Sequence, residues 1–187
     1  QKIDIPVEVA ILEKYILDAP ESEMNWSRSL DQKPTEQKLK VLGSNVKMNL
    51  GNVTMTSTGA VKLKTGILEV IDHKIDRARV TFDMATFKLA EEKGEGLFDV
   101  KKFPEGHLQL QNFRKDTSGF KADGKLTLQE VTRTVNVQLF KASMDTVKVL
   151  KGQLVFNTMD FPLRDKVTKD KVRKDEVTVM FAFTFNP

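Results

Sequence analysis

Apolar and polar residues alternate with a period of two through most of this chain. In TVNVQLF, Val135, Val137 and Leu139 share one face, while Asn136 and Gln138 occupy the other. The same spacing recurs in RVTFDM, AVKLK, HLQLQ, GKLTLQ and EVTVMFAFTF. Successive side chains on a β-strand point to opposite faces, so this pattern predicts antiparallel strands with one buried and one solvated face.

Turn signals separate the alternating segments. LGSN, KTG, DTSG and ADG each place a glycine among polar residues between two apolar runs. This spacing predicts about eight to ten strands and few helices, which is typical of a β-sandwich or β-barrel. The best helix candidate is TFKLAEEK at 86–93, and it predicts one short helix near residues 86–102.

The length and the residue types narrow the class of protein. The 187 residues contain neither a linker nor an internal repeat, so we predict a single domain over 1–187. No apolar run approaches the roughly 18 residues of a membrane-spanning helix. Cysteine is absent, which excludes disulfides and thiolate chemistry. The start, QKIDIPVEVAILEK, does not resemble a signal peptide, and the missing initiator Met is compatible with a trimmed, exported chain.

The charges are interleaved along the sequence. The net charge of +4 arises from 30 basic and 26 acidic residues. The densest stretch, RDKVTKDKVRKDE at 164–176, mixes six basic with four acidic residues. Nucleic-acid surfaces favour basic residues interleaved with aromatic ones. We therefore interpret this stretch as a solvated hairpin or loop and predict no nucleic-acid partner.

Motifs for catalysis or metal binding are missing from the sequence. His73 and His107 do not occur at metal-ligand spacing, and no GxSxG, HExxH or P-loop is present. Asp72 and Asp76 flank His73 and would suit a carboxylate-oriented base, but a solvated turn is the simpler interpretation. We predict no catalytic residue, no metal site and no cofactor, and interpret the protein as a non-enzyme.

Two adjoining segments, LFDVKKFPEGHLQLQNF and GFKADGKLTLQEVTRTVNVQL, resemble the YceI-like family. That family combines an "FFDV..YP" element with a following strand and a "G.LTL.GvT" hairpin. Residues 97–100 and 103–104 match the first element, and Gly124, 126–128 and 131–133 match the second. YILDAPESEMNWSRS, STGAVKLKTGIL and GQLVFNTMDFPLRD extend the resemblance over nearly the whole chain in the expected order.

Several positions depart from the family pattern. Ser57 stands where many members have histidine, and Thr158 stands where arginine is common. Leu97 replaces the first phenylalanine of the pair, and Gln129 with Glu130 replaces the usual hairpin glycine. We interpret the chain as a divergent member of the family.

The resemblance implies an all-β fold, a single antiparallel lipocalin-like β-barrel of about eight strands. It also implies a function, because barrels of this family bind long apolar amphiphiles. Their ligands are polyisoprenoids, such as isoprenoid quinones or prenyl phosphates, and fatty-acid derivatives. The predicted partner is thus an apolar lipid, and the predicted location is the bacterial periplasm or another exported compartment. A homodimer is left open.

Alternation assigns the candidate ligand-binding residues. The inward phases of the strands contain Trp26, Val80, Phe82, Leu108, Leu110, Leu126, Leu128, Val135, Val137, Leu139, Leu154, Phe156, Phe181 and Phe183. Near strand ends or loops lie four rim candidates, Phe98, Phe103, Phe113 and Phe161. Phe98 and Phe103 are predicted to fold over the open end of the barrel, either as a lid at the ligand mouth or as a seal on the core.

The pattern does not separate a hollow barrel from a filled one. The alternative to a lipid carrier is a filled β-barrel that serves as an interaction or structural module without a bound lipid. A void of several hundred cubic ångströms would favour the carrier, whereas a packed interior would favour the module.

Overall fold

The computed structural model describes residues 10–32, 35–41, 44–50, 53–89, 96–116, 119–143, 148–162 and 176–187. Side chains are described except within 29–56, at 116 and within 141–143. This part of the chain forms twelve strands: β1 (Leu12–Leu17), β2 (Glu23–Gln32), β3 (Thr35–Val41), β4 (Ser44–Leu50), β5 (Val53–Ala60), β6 (Leu63–Ile71), β7 (Lys74–Asp83), β8 (Glu105–Asp116), β9 (Gly119–Leu128), β10 (Val131–Ser143), β11 (Lys148–Asn157) and β12 (Glu176–Asn186). One turn of 3-10 helix, Thr158–Asp160, follows β11.

Eight of the strands close into a ring. Their order is β1-β6-β7-β8-β9-β10-β11-β12, and β12 pairs back with β1. This closing ladder runs from Ile16 opposite Asn186 to Leu17 opposite Phe185. Every pairing is antiparallel, which confirms the predicted all-β fold built on about eight ring strands.

The alternation in the sequence decides which side chains enter the ring. On β12, every second residue from Val177 to Phe185 is buried, while Met180 on the outer face is exposed. Val61 and Leu63 are buried, as the AVKLK pattern predicts, and the lysines beside them are exposed. Since burial of each large apolar side chain contributes roughly 1.5–3 kcal/mol, this inward face stabilises the ring strongly.

The other four strands form one long hairpin beside the ring. β2 pairs with β12 on one edge and with β5 on the other. The pairing of β3 with β4 continues the register of β2 with β5, because Gln32 lies opposite Val53 and Thr35 lies opposite Leu50. NVKMNL, predicted as an alternating strand, forms β4, and its side chains lie outside the described ones.

The two ends of the ring differ. We call one the covered end; there β7 ends, β8 begins, and residues 84–89 and 96–104 cross the interior. The opposite end, which we call the far end, contains the start of β1, the turn at Asp72 and His73, and the start of β9. His73 is exposed in this two-residue turn, as expected for a solvated turn.

The short helix predicted near residues 86–102 is not formed in the described part of that segment. Residues 84–86 make a turn, and the backbone N–H of Leu97 donates to the carbonyl of Leu89 at 2.9 Å. Phe87 and Leu89 are both buried, although residues two apart lie on nearly opposite sides of a helix. An irregular backbone path, unlike a helix, allows Phe87 and Leu89 to be buried together. Residues 90–95 lie outside the described ones.

The charged stretch, membrane spans and metal sites can be compared with the described residues only. Of the charged stretch at 164–176, only Glu176 belongs to the described residues. No helix in the described part of the chain is long and apolar enough to cross a membrane. Over the same residues, no group of three or more histidine, aspartate or glutamate side chains is placed to hold a metal ion.

Gly106, at the start of β8, provides a test of the packing at the covered end. A Cβ added here would lie 2.3 Å from Phe82 Cε2 and 3.0 Å from Met84 Sδ. Because both neighbours are fully buried, we expect Gly106→Ala to lower the free energy of unfolding by about 1–3 kcal/mol. Urea unfolding measures this, with Gly96→Ala as control, since its nearest atoms would be 4.0 Å away. Equal losses in both variants would contradict the expectation.

Candidate ligand-binding interior

The ring brings the predicted lining side chains together. All fourteen inward candidates are at most 6% exposed and belong to one continuous apolar cluster: Trp26, Val80, Phe82, Leu108, Leu110, Leu126, Leu128, Val135, Val137, Leu139, Leu154, Phe156, Phe181 and Phe183. They come from β2, β7, β8, β9, β10, β11 and β12. The middle of the interior is therefore apolar on almost every side, which suits an apolar chain.

The four predicted rim phenylalanines do not lie at one rim. Phe98 and Phe161 are buried at the covered end, where Phe161 packs edge-on against Phe156 with ring centroids 5.6 Å apart. Phe103 is half-buried at the same end. Phe113 is half-buried on the last part of β8, at the far end.

Phe87 organises the covered end, although the sequence did not single it out. Its ring centroid lies 6.2 Å from those of Trp26 and Phe82, 6.4 Å from that of Phe98 and 6.1 Å from that of Phe156. Aromatic pairs in this range contribute about 0.5–1.5 kcal/mol beyond area burial. The period-two spacing of Phe87 and Leu89 is the signal that could have identified it, but the helix interpretation obscured it.

Gln129 ties the covering segment to two other loops. Its Oε1 accepts the backbone N–H of Asp99 at 2.6 Å, and its Nε2 donates to the carbonyl of Pro162. Gln129 and Glu130 have φ angles of 50° and 64° in the turn between β9 and β10. Non-glycine residues are strained there by roughly 1–2 kcal/mol. Compared with the family glycine, Gln129 therefore adds backbone strain but gains two hydrogen bonds from a buried side chain.

These two turn residues should respond oppositely to glycine. Glu130 is exposed, so we expect Glu130→Gly to raise the free energy of unfolding by about 0.5–1 kcal/mol through relief of the strain. Gln129→Gly relieves similar strain but removes both hydrogen bonds, so we expect a net loss of about 1–3 kcal/mol. Urea titration of both variants checks this. Stabilisation by both would show that the tether contributes nothing.

Polar groups lie at both ends of the apolar interior. At the covered end, Arg28 and Thr158 are buried. At the far end, Lys148 is 8% exposed and its Nζ lies 4.9 Å from the centroid of the Tyr15 ring. Tyr15 Oη donates to Glu13 Oε2 at 2.6 Å, and this hydrogen bond, with burial and the Glu13 charge, raises the pKa of Tyr15. An amphiphile would thus find polar partners for its head group at either end.

The described inward side chains pack against one another in one apolar cluster. Phe181 and Phe183 stack with ring centroids 4.5 Å apart. Three grooves of about 530, 360 and 310 Å³, formed by described residues, lie on outer faces. The largest follows β8 to β11 and is lined mainly by polar side chains such as Arg114, Asn136 and Gln153. A ligand between the stacked Phe181 and Phe183 rings would require these side chains to move.

Taken together, the closed antiparallel ring, its apolar interior and the segment that covers one end define a lipocalin-like β-barrel class of protein. A family model described as "YceI-like domain" matches residues 15–185. The chain therefore belongs to the YceI-like family.

Two solved structures are similar to this chain. BcnA from Burkholderia cenocepacia is similar with a TM-score of 0.54 and 17% sequence identity, over 90% of this chain and 98% of that one. At this identity the likeness shows the fold alone. A YCEI protein from Campylobacter jejuni gives a TM-score of 0.48 and 16% identity, over 82% of this chain and 99% of that one. No curated protein sequence matches the chain.

Proposed function

We propose that this protein binds a long apolar amphiphile inside the ring and acts as a carrier rather than an enzyme. Candidate ligands are polyisoprenoids, such as isoprenoid quinones or prenyl phosphates, and fatty-acid derivatives. The proposal depends mainly on the continuous apolar interior, whose fourteen lining candidates are at most 6% exposed within a YceI-like domain. Export to the periplasm stays a prediction from the family resemblance.

The free energy of burial explains how such a site would select its ligand. Each buried CH₂ contributes roughly 0.8 kcal/mol, so a five-carbon isoprene unit grosses about 3–4 kcal/mol. Three or four units would approach nanomolar affinity before entropic costs are subtracted. Tail length should therefore set the affinity, while a few polar groups at the end of the interior select the head group.

Among the described residues, entry at the far end would displace fewer packed side chains than entry at the covered end. There, Phe113 is half-buried and Phe120 is 37% exposed, although both lie in the inward phase of their strands. At the covered end, Phe87 and Phe98 are packed among other aromatic rings. A ligand entering at the far end would also leave its head group near Lys148 and solvent.

Ligand binding is tested on the purified full chain. We expect solvent extraction and native mass spectrometry to reveal a copurifying apolar lipid, and isoprenoid quinones to bind more tightly as their tails lengthen. We also expect Lys148→Gln to weaken prenyl phosphate binding more than quinone binding. Absence of lipid after expression in several hosts, together with no quinone binding, would overturn the proposal.

The close packing of the described inward side chains supports a second candidate function, an interaction module without a lipid. The stacked Phe181 and Phe183 rings and the outer position of the three grooves favour it. Methyl NMR with added quinone separates the two functions. Shifts at the inward methyls of Leu126 and Val137 support the carrier, whereas inward methyls that do not respond to quinone support the module.

A further inference from the structure

Large apolar side chains are exposed around the far end of the ring. Seven such side chains among the described residues are more than a third exposed, and five belong to this end: Ile11 63%, Leu12 54%, Ile16 54%, Phe120 37% and Phe140 57%. The first three precede or lie on β1, and the two phenylalanines lie on β9 and β10. Concentrations of exposed apolar side chains mark interaction surfaces.

The two groups lie on opposite sides of the far end. In the order of the ring, β1 and β9 are separated by β6, β7 and β8 in one direction and by β10, β11 and β12 in the other. A flat partner placed across this end would therefore touch both groups at once. A partner on one side wall would touch only one of them.

Lysines accompany the group on β1. Lys14 lies between Leu12 and Ile16 on the same outward face of the strand. Lys74 lies opposite Ile71, which in turn lies opposite Leu12. Both lysines are exposed, and neither has an ion-pair partner within the described chain.

Lysines accompany the aromatic group as well. Lys115 lies opposite Phe120, and Lys151 lies across from the β10 irregularity that contains Phe140. Both are exposed and lack an ion-pair partner among the residues whose side chains are described. Lysine stems can cover apolar surface while their charged heads reach toward phosphate groups.

Three of the carboxylates described near this end have side-chain partners. Glu13 accepts the hydrogen bond of Tyr15. Asp123 lies 2.7 Å from Arg114, and hydrogen bonds from Asn112 and from Arg114 lower the pKa of this carboxyl. Glu69, across from Lys14, is paired with Arg79. Asp72 and Asp76 are exposed in the turn region, where Asp72 accepts the backbone N–H of Ile11. The lysines next to the apolar groups therefore present positive charge to a partner.

From this juxtaposition we propose that the far end docks end-on onto an anionic membrane surface. The isoleucine, leucine and phenylalanine side chains would enter the headgroup region, and the four lysines would contact lipid phosphates. A protein partner fits less well, because the centres of protein interfaces are depleted in lysine. Docking would place the accessible end of the interior against the bilayer. The proposal concerns the surface alone and does not require the carrier function.

Vesicle flotation tests the docking without any cargo. The full chain is mixed with vesicles of phosphatidylglycerol and phosphatidylcholine, or of phosphatidylcholine alone, all free of isoprenoids. We expect binding to the anionic vesicles only, and weaker binding as salt rises from about 0.05 to 0.5 M, because lipid charges are then screened. Absence of binding to anionic vesicles at low salt would overturn the proposal.

Paired variants locate the surface. We expect Leu12→Ser with Phe140→Ser to weaken vesicle binding at least about tenfold, while Met180→Ser, on the outer face of β12 and 53% exposed, changes it little. Lys115→Glu with Lys151→Glu should also weaken binding, unlike Lys125→Glu elsewhere on β9.

Two outcomes of the variant series would overturn the proposal. One is equal loss in the control variants. The other is concentration-dependent self-association that disappears in the Leu12→Ser, Phe140→Ser variant, since it would identify a second copy as the occupant. Quinone uptake from detergent solution, measured in parallel, reports on the carrier function separately, so either proposal can fail alone.

Discussion

Phe87→Ala is expected to lower the free energy of unfolding by about 3–5 kcal/mol, the largest loss from truncation of one side chain at the covered end. The ring contacts Trp26, Phe82, Phe98 and Phe156 and is 3% exposed, so its removal leaves a cavity that four elements cannot all move to fill. Urea unfolding monitored by Trp26 fluorescence measures the loss, because Trp26 packs directly against Phe87.

Phe103→Ala is the matched control, since Phe103 belongs to the same covering segment but is half-buried. Its clearest polar contact is Lys102 Nζ, 5.0 Å above the ring, and such exposed cation–π pairs contribute only about 0.5–1 kcal/mol. Equal losses of unfolding free energy in the two variants would contradict the central packing role of Phe87. The stacking of Phe98 on Phe87 likewise favours a core seal over a mobile lid.

Leu126→Asp is expected to destabilise the protein by about 4 kcal/mol or more, which combines lost apolar burial with an unpaired carboxylate in an apolar interior. Leu126 is 1% exposed on the inward face of β9. Burial would raise the folded-state pKa of the new carboxyl, so its penalty should be largest near about pH 7 and shrink toward about pH 4 as the group becomes protonated.

The neighbouring Lys125→Asp serves as the control for this second change, because Lys125 points outward and is exposed. We expect its effect to stay within about 0.5 kcal/mol, as is usual for surface substitutions. Denaturant unfolding of both variants and the wild type at the two pH values provides the comparison. A mild loss for Leu126→Asp at neutral pH would mean that water reaches the middle of the ring.

The faces of the strands could be predicted because alternation links each side chain to a side of the sheet. Val135, Val137 and Leu139 are buried as their spacing indicates, and the same holds for Leu108 and Leu110 on β8. One register slip would have reversed such a set, so the apolar pattern itself fixes the register. The ring of about eight strands followed from this pattern together with the family resemblance.

The covered end could not be predicted in the same way, because an irregular segment has no period to read. Phe87 became important only through contacts with residues distant in sequence, such as Phe156. The Gln129 tether depends on loops at Asp99 and Pro162, which are brought together by the closed ring.

The lysines beside the exposed apolar side chains at the far end could not be predicted for a related reason. Neighbours across strands depend on pairing, so the proximity of Lys115 to Phe120 is set by the β8–β9 ladder. The sequence shows interleaved charges there. In the described part of the chain, the fold gives Glu13 and Asp123 side-chain partners, whereas Lys14, Lys74, Lys115 and Lys151 have no ion-pair partner. Whether the interior can open is a question of side-chain motion, and the residue pattern carries no information about it.

The closure of the ring has a consequence for the motions of the protein. Among the described residues, β1 joins β12 through the pairs Ile16–Asn186 and Leu17–Phe185, and Asp18 N–H donates to the Thr184 carbonyl just beyond them. The ladder between β11 and β12 is longer and runs from Lys148–Phe185 to Asn157–Glu176. So short a seam is held by few backbone hydrogen bonds, and local opening there should need less free energy than global unfolding. When the seam parts, the barrel becomes a curled sheet with a lengthwise slot.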